Sequence, residues 1–375
     1  AYAVIDDAAY ATEGCMVVEN VLETLQQLAR YHRDKFTIPV IALTGSNGKT
    51  TSKELLHAVL SKKYKTHATK GNLNNHIGVP LTLLAMPVDT EIAIIEMGAN
   101  HVGEIAALSN IANPTHGFIT NIGKAHIGTF GGAENIIRGK SELYQHLITT
   151  QGQVFINSQN HILYNMSKRF ASPVFYPAAG DYYHAERLAS HPYVKVKAEN
   201  GDEIQTHLIG DYNFENIAAA LCIGKYFGVD AAQANAAVAA YVPGNMRSQL
   251  IEKGTNQIIL DAYNANPSSM QAAIENLAAM ESKNKVLIIG DMFELGDEAD
   301  AEHYNIGKLI YDKHIQDVFL CGTLFKSALR ALPQAQWFAD KNALIEKLKS
   351  TRFESSVILV KASRGIGLET VVDYL

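Results

Sequence analysis

The sequence has few cysteines, no surplus of basic residues and no long apolar run, and each absence excludes a class of protein. Cys15, Cys222 and Cys321 are far apart and form no CxxC pair, so we expect free thiols in a reducing compartment. A formal net charge of −6 at pH 7 argues against a nucleic-acid binder, which needs a basic surplus to neutralise phosphates. No apolar stretch approaches the length of a membrane span. We therefore predict a cytoplasmic protein that has no nucleic-acid partner and no membrane span.

What is present is the composition of a globular protein with more than one domain. The chain has 375 residues, of which 47% are hydrophobic and 19% are charged. This length exceeds one ordinary hydrophobic core, so we expect two or three domains. The start does not read as a signal peptide, because residues 2–5 run into Asp6 and Asp7 without a basic region. It reads as the middle of a strand, and we expect a fragment or a processed start.

The most informative stretch is residues 44–51 (TGSNGKTT), which lies between the apolar run 38–43 and the helical pattern 52–60. A strand that turns through glycines into a helix beginning Gly-Lys-Thr is the arrangement of a phosphate-binding loop. Backbone N–H groups and the helix N-terminus attract phosphate. Lys49 supplies a mobile positive charge, and Thr50 supplies a hydroxyl for Mg²⁺. The stretch predicts that the protein binds ATP or GTP.

The spacing of this loop departs from the common Gly-x4-Gly-Lys pattern. Leu43 stands where that pattern has its first glycine, and the first glycine here is Gly45. The alternative is a glycine-rich turn that merely links a strand to a helix. We favour the phosphate loop because strand, glycines, Gly-Lys-Thr and helix occur in order. The candidate nucleotide-binding residues of this loop are Gly45, Ser46, Asn47, Gly48, Lys49, Thr50 and Thr51.

Strands and helices alternate over much of the chain, which favours parallel sheets covered by helices. Strands are predicted at 91–96, 117–120, 258–260, 286–290, 318–320 and 357–360, and helices at 134–149, 214–227 and 230–240. Residues 193–197 and 203–208 alternate with period two around Asn200-Gly201, which predicts a hairpin with a primed turn.

The predicted fold class is therefore α/β, with two main domains. A central P-loop-type ATPase domain has a mostly parallel sheet and the small antiparallel hairpin. A Rossmann-like C-terminal α/β domain follows it. The predicted domains are residues 1–34, 35–244 and 245–375, with Pro243-Gly244-Asn245 at the second boundary.

Three residues of the central domain are candidates for chemistry. Glu96 ends an apolar strand, so it is either a ligand for Mg²⁺ or an ordinary solvated acid. His126 follows another strand, and its position alone leaves a functional and an ordinary role equally open. Lys140 interrupts the apolar helix face of Ile136 and Leu143. It either extends to solvent, pairs with an acid, or serves chemistry, because burying an ammonium is costly.

Further candidates lie at helix starts and strand ends in the second half of the chain. Asn213 and Asn216 open a helix, where Asn commonly caps. Arg247 is either a phosphate contact or a surface arginine. Asp261 either accepts ribose hydroxyls or forms a turn. The strand-end loops 290–292 and 361–365 could bind a small anionic substrate.

With these pieces in order, the chain resembles the Mur ligase family. The resemblance rests on residues 44–51, 70–82, 96–105, 120–126, 261–267 and 290–296, which cover nearly the whole chain in the family's order. The phosphate loop is shared among sister ligases, whereas 74–80 (NNHIGVP) and 263–267 (YNANP) are typical of one member. Residues 1–34 resemble a remnant of the family's N-terminal domain, which binds a UDP-sugar. Ala362 departs from the family's usual glycine before Ser363.

The resemblance implies an ATP-dependent peptide ligase of peptidoglycan synthesis. Its substrates would be UDP-N-acetylmuramoyl-tripeptide and D-alanyl-D-alanine, and its cofactors ATP and two Mg²⁺ ions. We expect a monomer in which domain closure assembles the site.

The resemblance also implies roles for individual residues. The implied catalytic residues are Lys49, Glu96, His126, Lys140 and Arg247. The implied metal ligands are Thr50, Glu96, His126 and Lys140, the last as a carbamylated lysine. Asn216, Arg247 and Asp261 would contact ATP. The implied substrate contacts are Asn72, Asn74, Asn75, Asn100, Asn264, Asn266, Ser363 and Arg364.

Two other functions stay open at this point. A folylpolyglutamate synthase-like ligase shares the loop and the central fold, but it would lack the stretch 263–267 and would accept glutamate. A nucleotide-regulated switch would hydrolyse nucleotide without an amine acceptor. The chain has no Asn-Lys-x-Asp stretch for reading a GTP base, which counts against the switch.

Overall fold

The computed structural model describes residues 2–189, 192–244 and 246–375. Asn245, which the sequence places at a domain boundary, lies outside the described residues. The chain forms two units: one comprises residues up to Ile122, Ile137–Tyr183 and Ala219–Ala234, and the other comprises Gly123–Ile136, His184–Ala218 and Asn235–Leu375. The three-domain division remains a prediction.

The strands of the described residues are mostly short, and the helices range from one turn to nearly five. The strands are β1 (Ala3–Ile5), β2 (Cys15–Val17), β3 (Val40–Thr44), β4 (Thr66–Ala68), β5 (Ile92–Glu96), β6 (His116–Ile119), β7 (Gln153–Asn157), β8 (Val174–Tyr176), β9 (Glu186–Leu188), β10 (Tyr193–Lys197), β11 (Glu203–Ile209), β12 (Gln249–Lys253), β13 (Asn256–Asp261), β14 (Asn284–Gly290), β15 (Asp317–Cys321), β16 (Gln336–Phe338) and β17 (Ser356–Lys361). The α-helices are α1 (Val21–Arg33), α2 (Lys49–Leu60), α3 (Gly78–Leu84), α4 (Glu104–Ala112), α5 (Ile127–Phe130), α6 (Ala133–Thr149), α7 (His161–Ser167), α8 (Asn213–Tyr226), α9 (Ala231–Ala240), α10 (Pro267–Ala279), α11 (Ala299–Asp312) and α12 (Lys341–Leu348). Short 3-10 helices cover Ala8–Tyr10, Gly296–Glu298, Leu324–Arg330, Arg364–Ile366 and Leu368–Tyr374.

The first unit contains a six-stranded sheet in the order β4-β5-β3-β6-β7-β8, and every neighbouring pair is parallel. β3 and β5 are buried along their length and apolar up to their last residues, Thr44 and Glu96, as expected where helices cover both faces of a parallel sheet. Leu43 pairs with Glu96, and Thr44 pairs with Ile119. The carboxyl ends of three strands therefore meet at one edge, directly before the glycine loop. The predicted parallel sheet is confirmed.

The second unit contains a six-stranded sheet in the order β12-β13-β17-β14-β15-β16 and a three-stranded antiparallel sheet, β11-β10-β9. In the larger sheet β12 pairs antiparallel with β13, and the remaining pairs are parallel. The predicted strands at 258–260, 286–290, 318–320 and 357–360 are present. β9, β12 and β16 escaped prediction because they are edge strands that are only partly buried, so they lack a continuous apolar run.

The hairpin of β10 and β11 is present, but its predicted primed turn is wrong. A primed turn at Asn200-Gly201 would require positive φ at Asn200 in either type, and at Gly201 as well in type I′. Here the Gly201 N–H donates to the Ala198 carbonyl (2.9 Å), and of these two residues only Gly201, with a φ of 89°, has a positive value. The Ala198 N–H also bonds to the Asp202 carbonyl (2.8 Å). The turn thus spans 198–201, and the glycine follows its two central residues.

In the part of the chain that the structure describes, none of the helices combines the length and the apolar character that crossing a membrane requires.

An aromatic cluster encloses His116 at the start of β6. Its ring centroid lies 5.0 Å from that of Phe227, 5.7 Å from that of Tyr226 and 6.3 Å from that of Phe155. Burial among these rings disfavours the imidazolium and lowers the pKa of His116 to about 4.

This lowered pKa predicts a loss of stability at mildly acidic pH. Between about pH 6.5 and pH 4 the unfolded chain binds a proton at His116 that the folded chain does not bind, so stability falls as pH falls through this window. We expect His116→Phe, which keeps an aromatic ring, to lose less stability between pH 7 and pH 5, as measured by denaturant unfolding. The control is His161→Gln, at an exposed histidine. Equal losses in His116→Phe and the parent chain would contradict the prediction.

Candidate active site

The backbone of residues 44–51 turns from β3 into α2 through two glycines in conformations that favour glycine. Gly48 has a φ of 78° and directly precedes α2, which begins at Lys49. Gly45 has a φ of 150°, and a Cβ placed there would lie 1.9 Å from the Thr120 hydroxyl oxygen. Gly45 thus allows the loop to approach the end of β6 closely. The first-turn N–H groups of α2 lie at the loop, where a helix N-terminus favours anions.

Two residues just past β6 hold the loop in place. The Asn121 carbonyl accepts the Ser46 N–H, and the Asn121 side-chain oxygen accepts the Asn47 N–H, both at 3.0 Å. The Thr120 hydroxyl donates to the Asn47 carbonyl at 2.6 Å. Sequence reasoning gave these two residues no role. In the sequence these two residues are only a polar pair at the end of β6. Their contact with the loop can be recognised once β6 is known to lie beside β3.

Lys49 and Thr50 occupy the positions that a phosphate loop requires. The Lys49 ammonium folds back over the loop and donates to the Gly45 carbonyl at 2.8 Å. The Thr50 hydroxyl donates to Oε1 of Glu96 at 3.2 Å, and both side chains are buried. The structure therefore brings together the hydroxyl and the carboxylate that the sequence suggested for Mg²⁺.

Glu96 is 1% exposed, and its environment fits a metal ligand. Asn74 donates to its Oε1 at 2.8 Å, whereas Oε2 has no hydrogen-bond partner among the described residues. The nearest cation to Oε2 is the Lys53 ammonium, at 3.9 Å. A buried carboxylate oxygen of this kind suits a hard cation such as Mg²⁺. Over residues 2–189, 192–244 and 246–375, no group of three or more His, Cys, Asp or Glu side chains could itself hold a metal ion.

Lys140 is fully buried on α6, so the alternative in which it extends to solvent is wrong. Its ammonium donates a long hydrogen bond to the Ala99 carbonyl (3.4 Å). Burial, followed by the positive charge of Lys49, lowers the pKa of Lys140 to about 7, although Glu104 and Glu142 partly oppose this shift. A large fraction of this amine is therefore neutral at neutral pH, and a neutral amine is a nucleophile.

The four asparagines suggested as substrate contacts in the first unit divide into two groups. Asn74 bonds to Glu96, and the Asn75 side-chain oxygen accepts the N–H groups of Ile77 and Gly78 at the start of α3. These two side chains order the loop itself. Asn72 and Asn100 are exposed. Asn75 is exposed as well, but its side-chain oxygen already accepts two N–H groups of the loop, so Asn72 and Asn100 are favoured for contact with a ligand.

His126 lies in the second unit, directly before α5, with a φ of 59°. Its Nδ1 is within ion-pair distance of the Glu294 carboxylate. The imidazole lowers the pKa of Glu294, mainly through a side-chain hydrogen bond. The Gly128 N–H also donates to the Glu294 carbonyl, at 3.1 Å. The structure thus gives His126 a carboxylate partner that the sequence did not suggest.

Asn216 and its neighbour Asn213 are buried at the start of α8. Asn216 donates to the Asn213 side-chain oxygen at 2.9 Å, and Asn213 donates to the Ile209 carbonyl at 2.8 Å. The Tyr212 hydroxyl, just before the helix, lies 2.7 Å from the Ser248 hydroxyl. Desolvation of the hydroxyl, followed by the negative charge of Asp261, raises the pKa of Tyr212, so it keeps its proton although the residue is partly exposed.

Ser248 connects this helix start to Asp261. Its N–H donates to Oδ1 of Asp261 at 3.2 Å, and the Lys361 ammonium donates to Oδ2 at 2.5 Å. The candidate ATP contacts Asn216 and Asp261 are thus bridged by Tyr212 and Ser248. Sequence reasoning missed Tyr212, Ser248 and the contact of Lys361 with Asp261, because the partners are distant in the chain.

Two arginines lie against the Tyr263 ring. The Arg247 guanidinium carbon is 3.8 Å from the ring centroid, and that of Arg364 is 5.9 Å away. Nε of Arg247 is buried without a hydrogen-bond partner among the described residues. Arg364 is exposed and reaches the Met246 sulfur at 3.4 Å. Stacking on one tyrosine therefore limits the positions of both arginines.

The other candidate substrate contacts of the second unit differ in exposure. Asn266 is buried and caps α10, accepting the Ser269 N–H at 2.9 Å in a capping box, with Pro267 as the first residue of the helix. Asn264 is exposed. Ser363 is buried, accepts the Phe293 N–H (2.9 Å) and donates to the Ala265 carbonyl (3.3 Å). Asn264 and Arg364 are therefore the exposed members of this set.

The chain matches two protein-family models. These are the Mur ligase middle domain, over residues 43–224, and the Mur ligase, glutamate ligase domain, over residues 246–364. A curated relative from Bacillus subtilis (strain 168), a UDP-N-acetylmuramoyl-tripeptide–D-alanyl-D-alanine ligase, is 35% identical over 381 residues. That match covers 96% of this chain and 80% of the relative.

Solved structures agree with these sequence matches. MurF from Acinetobacter baumannii superposes with a TM-score of 0.89 at 31% identity, over 99% of this chain and 83% of that chain. MurF ligase from Thermotoga maritima, crystallised in complex with ADP, superposes with a TM-score of 0.87 at 26% identity, over 100% of this chain and 88% of that chain.

Proposed function

The chain belongs to the Mur ligase family, and from this premise we propose that it joins D-alanyl-D-alanine to UDP-N-acetylmuramoyl-tripeptide with the energy of ATP, in peptidoglycan precursor synthesis. The proposal is supported above all by the site around the phosphate loop, where Lys49 lies within the loop and Thr50 bonds to the buried Glu96. The three-domain division, with boundaries near residues 34 and 244, is part of the proposal. The boundary near residue 244 is supported by the two family models, which match on either side of it. ATP is a cytoplasmic substrate, and we place the reaction there.

The reaction has two steps. A terminal carboxylate oxygen of the tripeptide attacks the γ-phosphorus of ATP, which gives an acyl phosphate and ADP. The amine of D-alanyl-D-alanine then attacks the acyl carbon, the amide bond forms, and inorganic phosphate leaves with the attacking carboxylate oxygen. The amine loses a proton in this step. Phosphoryl transfer of this kind depends on positioning and charge stabilisation more than on covalent chemistry by the protein.

Lys49 and Arg247 are the proposed cationic contacts of the transferring phosphoryl group. Lys49 already lies within the loop, 2.8 Å from the Gly45 carbonyl, so it needs little reorganisation to reach a phosphate there. Arg247 is held by its stack on Tyr263. Its Nε is buried without a hydrogen-bond partner among the described residues, which supports an anion as the partner of this guanidinium. Preorganised donors of this kind stabilise charge that develops in the transition state. Asn216 and Asp261 are proposed to bind the nucleoside part of ATP.

Thr50 and Glu96 are proposed to hold Mg²⁺, and His126 and Lys140 are proposed as further ligands. The open Oε2 of Glu96 and the nearby Thr50 hydroxyl support this donor set. When bound, Mg²⁺ would neutralise phosphate oxygens and polarise the γ-phosphoryl group. The expectation of two ions comes from the family and is part of the proposal.

Lys140 is proposed to carry a carbamate. Its pKa of about 7 supports this, because a neutral amine can attack CO₂ to give a carbamate and a proton. The modification would replace a buried cation with an anion. Near a magnesium site, an anion is favourable where an unmodified ammonium is costly.

Asn72 and Asn100, which are exposed, are proposed to contact the muramyl-peptide. Asn264 and Arg364 are proposed to contact the incoming dipeptide. Asn74, Asn75, Asn266 and Ser363, which the resemblance also implies as substrate contacts, are proposed to order the loops around those contacts. The folylpolyglutamate synthase-like alternative is not favoured, because the relative at 35% identity is a UDP-N-acetylmuramoyl-tripeptide–D-alanyl-D-alanine ligase and the solved structure at 31% identity is a MurF.

The function is tested by phosphate release with ATP, Mg²⁺ and UDP-N-acetylmuramoyl-tripeptide, with and without D-alanyl-D-alanine. We expect release to need the dipeptide and the ligated product to appear by mass spectrometry. Lys49→Ala should lower turnover about 100-fold or more, because a phosphate-stabilising charge is lost. Lys62→Ala, at an exposed lysine just after the same helix, is the control and should leave turnover unchanged. Release that ignores the dipeptide would contradict the assignment, and glutamate would be the next acceptor to try.

The carbamate is tested by Lys140→Ala. We expect this variant to lose activity by about tenfold or more, because a metal-site group is removed. Acetate or another short carboxylic acid, which can occupy the space of the carbamate, should restore part of the activity. The same acids should not restore Lys49→Ala. If Lys140→Ala is as active as the parent chain, the carbamate proposal is wrong.

A further inference from the structure

Lys361 is a buried lysine that the proposed chemistry does not use. It is the last residue of β17, which lies between β13 and β14, and it is 1% exposed. A buried ammonium must be compensated by partners. Its partners are Oδ2 of Asp261, at 2.5 Å, and the Asn264 carbonyl, at 3.2 Å. Asp261 is also its register partner across the parallel pair β13–β17.

These contacts fix the Asp261 carboxylate from one side, and Ser248 fixes it from the other. Oδ1 accepts the Ser248 N–H at 3.2 Å, while 16% of the Asp261 side chain stays exposed. The two carboxylate oxygens of Asp261 are thus bound by residues at the ends of two different strands, and part of the Asp261 side chain still faces solvent. Ser248 directly follows Arg247, so the carboxylate also anchors the segment that carries this arginine.

Lys361 also holds the turn after Asp261. By binding Asp261 and the Asn264 carbonyl, it fixes both ends of the short segment that contains Tyr263. The Tyr263 ring is the surface on which Arg247 stacks, at 3.8 Å. The positions of Asp261 and Arg247 therefore both depend on one buried ammonium.

We propose that Lys361 is a positioning residue that acts through Asp261 to order the nucleotide-binding face of the second unit. The proposal rests on the proposed function in one respect, namely that Asp261 contacts ATP. Lys361 itself touches no ligand. The competing explanation is a purely structural ion pair, but buried pairs often add little stability compared with apolar residues of similar size. A positional role accounts better for a charge placed beneath Asp261.

The test measures the Kd for ATP by calorimetry in Lys361→Met, Asp261→Asn and the double variant, with thermal unfolding of each. Methionine keeps the length of the side chain without its charge. We expect Lys361→Met and Asp261→Asn each to weaken ATP binding about tenfold, the loss expected for one charged hydrogen bond. In the double variant the Kd for ATP should rise by less than the product of the two single increases. The control is Lys285→Met, at a lysine on β14 that donates to the Ala278 carbonyl, and its Kd should stay unchanged.

The double variant keeps the test valid if Lys361→Met fails to fold, because it leaves no unpaired buried carboxylate. In that case it should bind ATP as Asp261→Asn does. A lowered unfolding temperature with an unchanged Kd in Lys361→Met would overturn the proposal, and so would effects that multiply. The outcome is separate from the ligase assignment, because ATP binding needs no acceptor. A chain that binds ATP but ignores the dipeptide contradicts the ligase assignment alone.

Discussion

A buried carboxylate at the end of a parallel strand is the constraint on which the first unit's site depends. Glu96 is 1% exposed, and a charge in that position must be compensated. The compensating groups come from separate parts of the unit: Thr50 from the phosphate loop, Asn74 from the loop before α3, and Lys53 from α2. The nucleotide loop and the proposed substrate loop are therefore linked through one acid. Its open oxygen is where a cation would complete the arrangement.

The second unit also has an acid at a strand end, Asp261, but its carboxylate is bound differently from that of Glu96. Both oxygens of Asp261 are bound, one by the Lys361 ammonium and one by the Ser248 N–H. A carboxylate that is already neutralised by an ammonium is a poor site for a further cation but keeps lone pairs for hydroxyl donors. This difference supports the different roles proposed for the two strand-end acids, Mg²⁺ binding at Glu96 and ribose binding at Asp261.

Local and periodic patterns predicted much of the fold and part of the site. The parallel sheets followed from apolar runs, and the phosphate loop from its glycines. The stripe that Lys140 interrupts marked it as unusual but left its burial open, and the structure shows that it is buried. What escaped prediction depends on contacts between distant residues. The edge strands β9, β12 and β16 are only partly buried, and the turn at Asn200 follows from the register of β10 and β11. The partners of Lys361 lie about 100 positions away in the chain, so no local pattern reveals them.

Isotope labelling of the substrate carboxylate can show whether the reaction passes through an acyl phosphate. The tripeptide substrate is prepared with a heavy oxygen isotope in its terminal carboxylate, and the phosphate released during ligation is analysed by mass spectrometry. If the carboxylate attacks the γ-phosphorus and the amine then displaces phosphate, each released phosphate carries one heavy oxygen. Phosphate without the label, formed while the amide product accumulates, would contradict the acyl-phosphate mechanism. It would also contradict the proposed role of the phosphate loop and Glu96 in transferring the γ-phosphoryl group to the tripeptide.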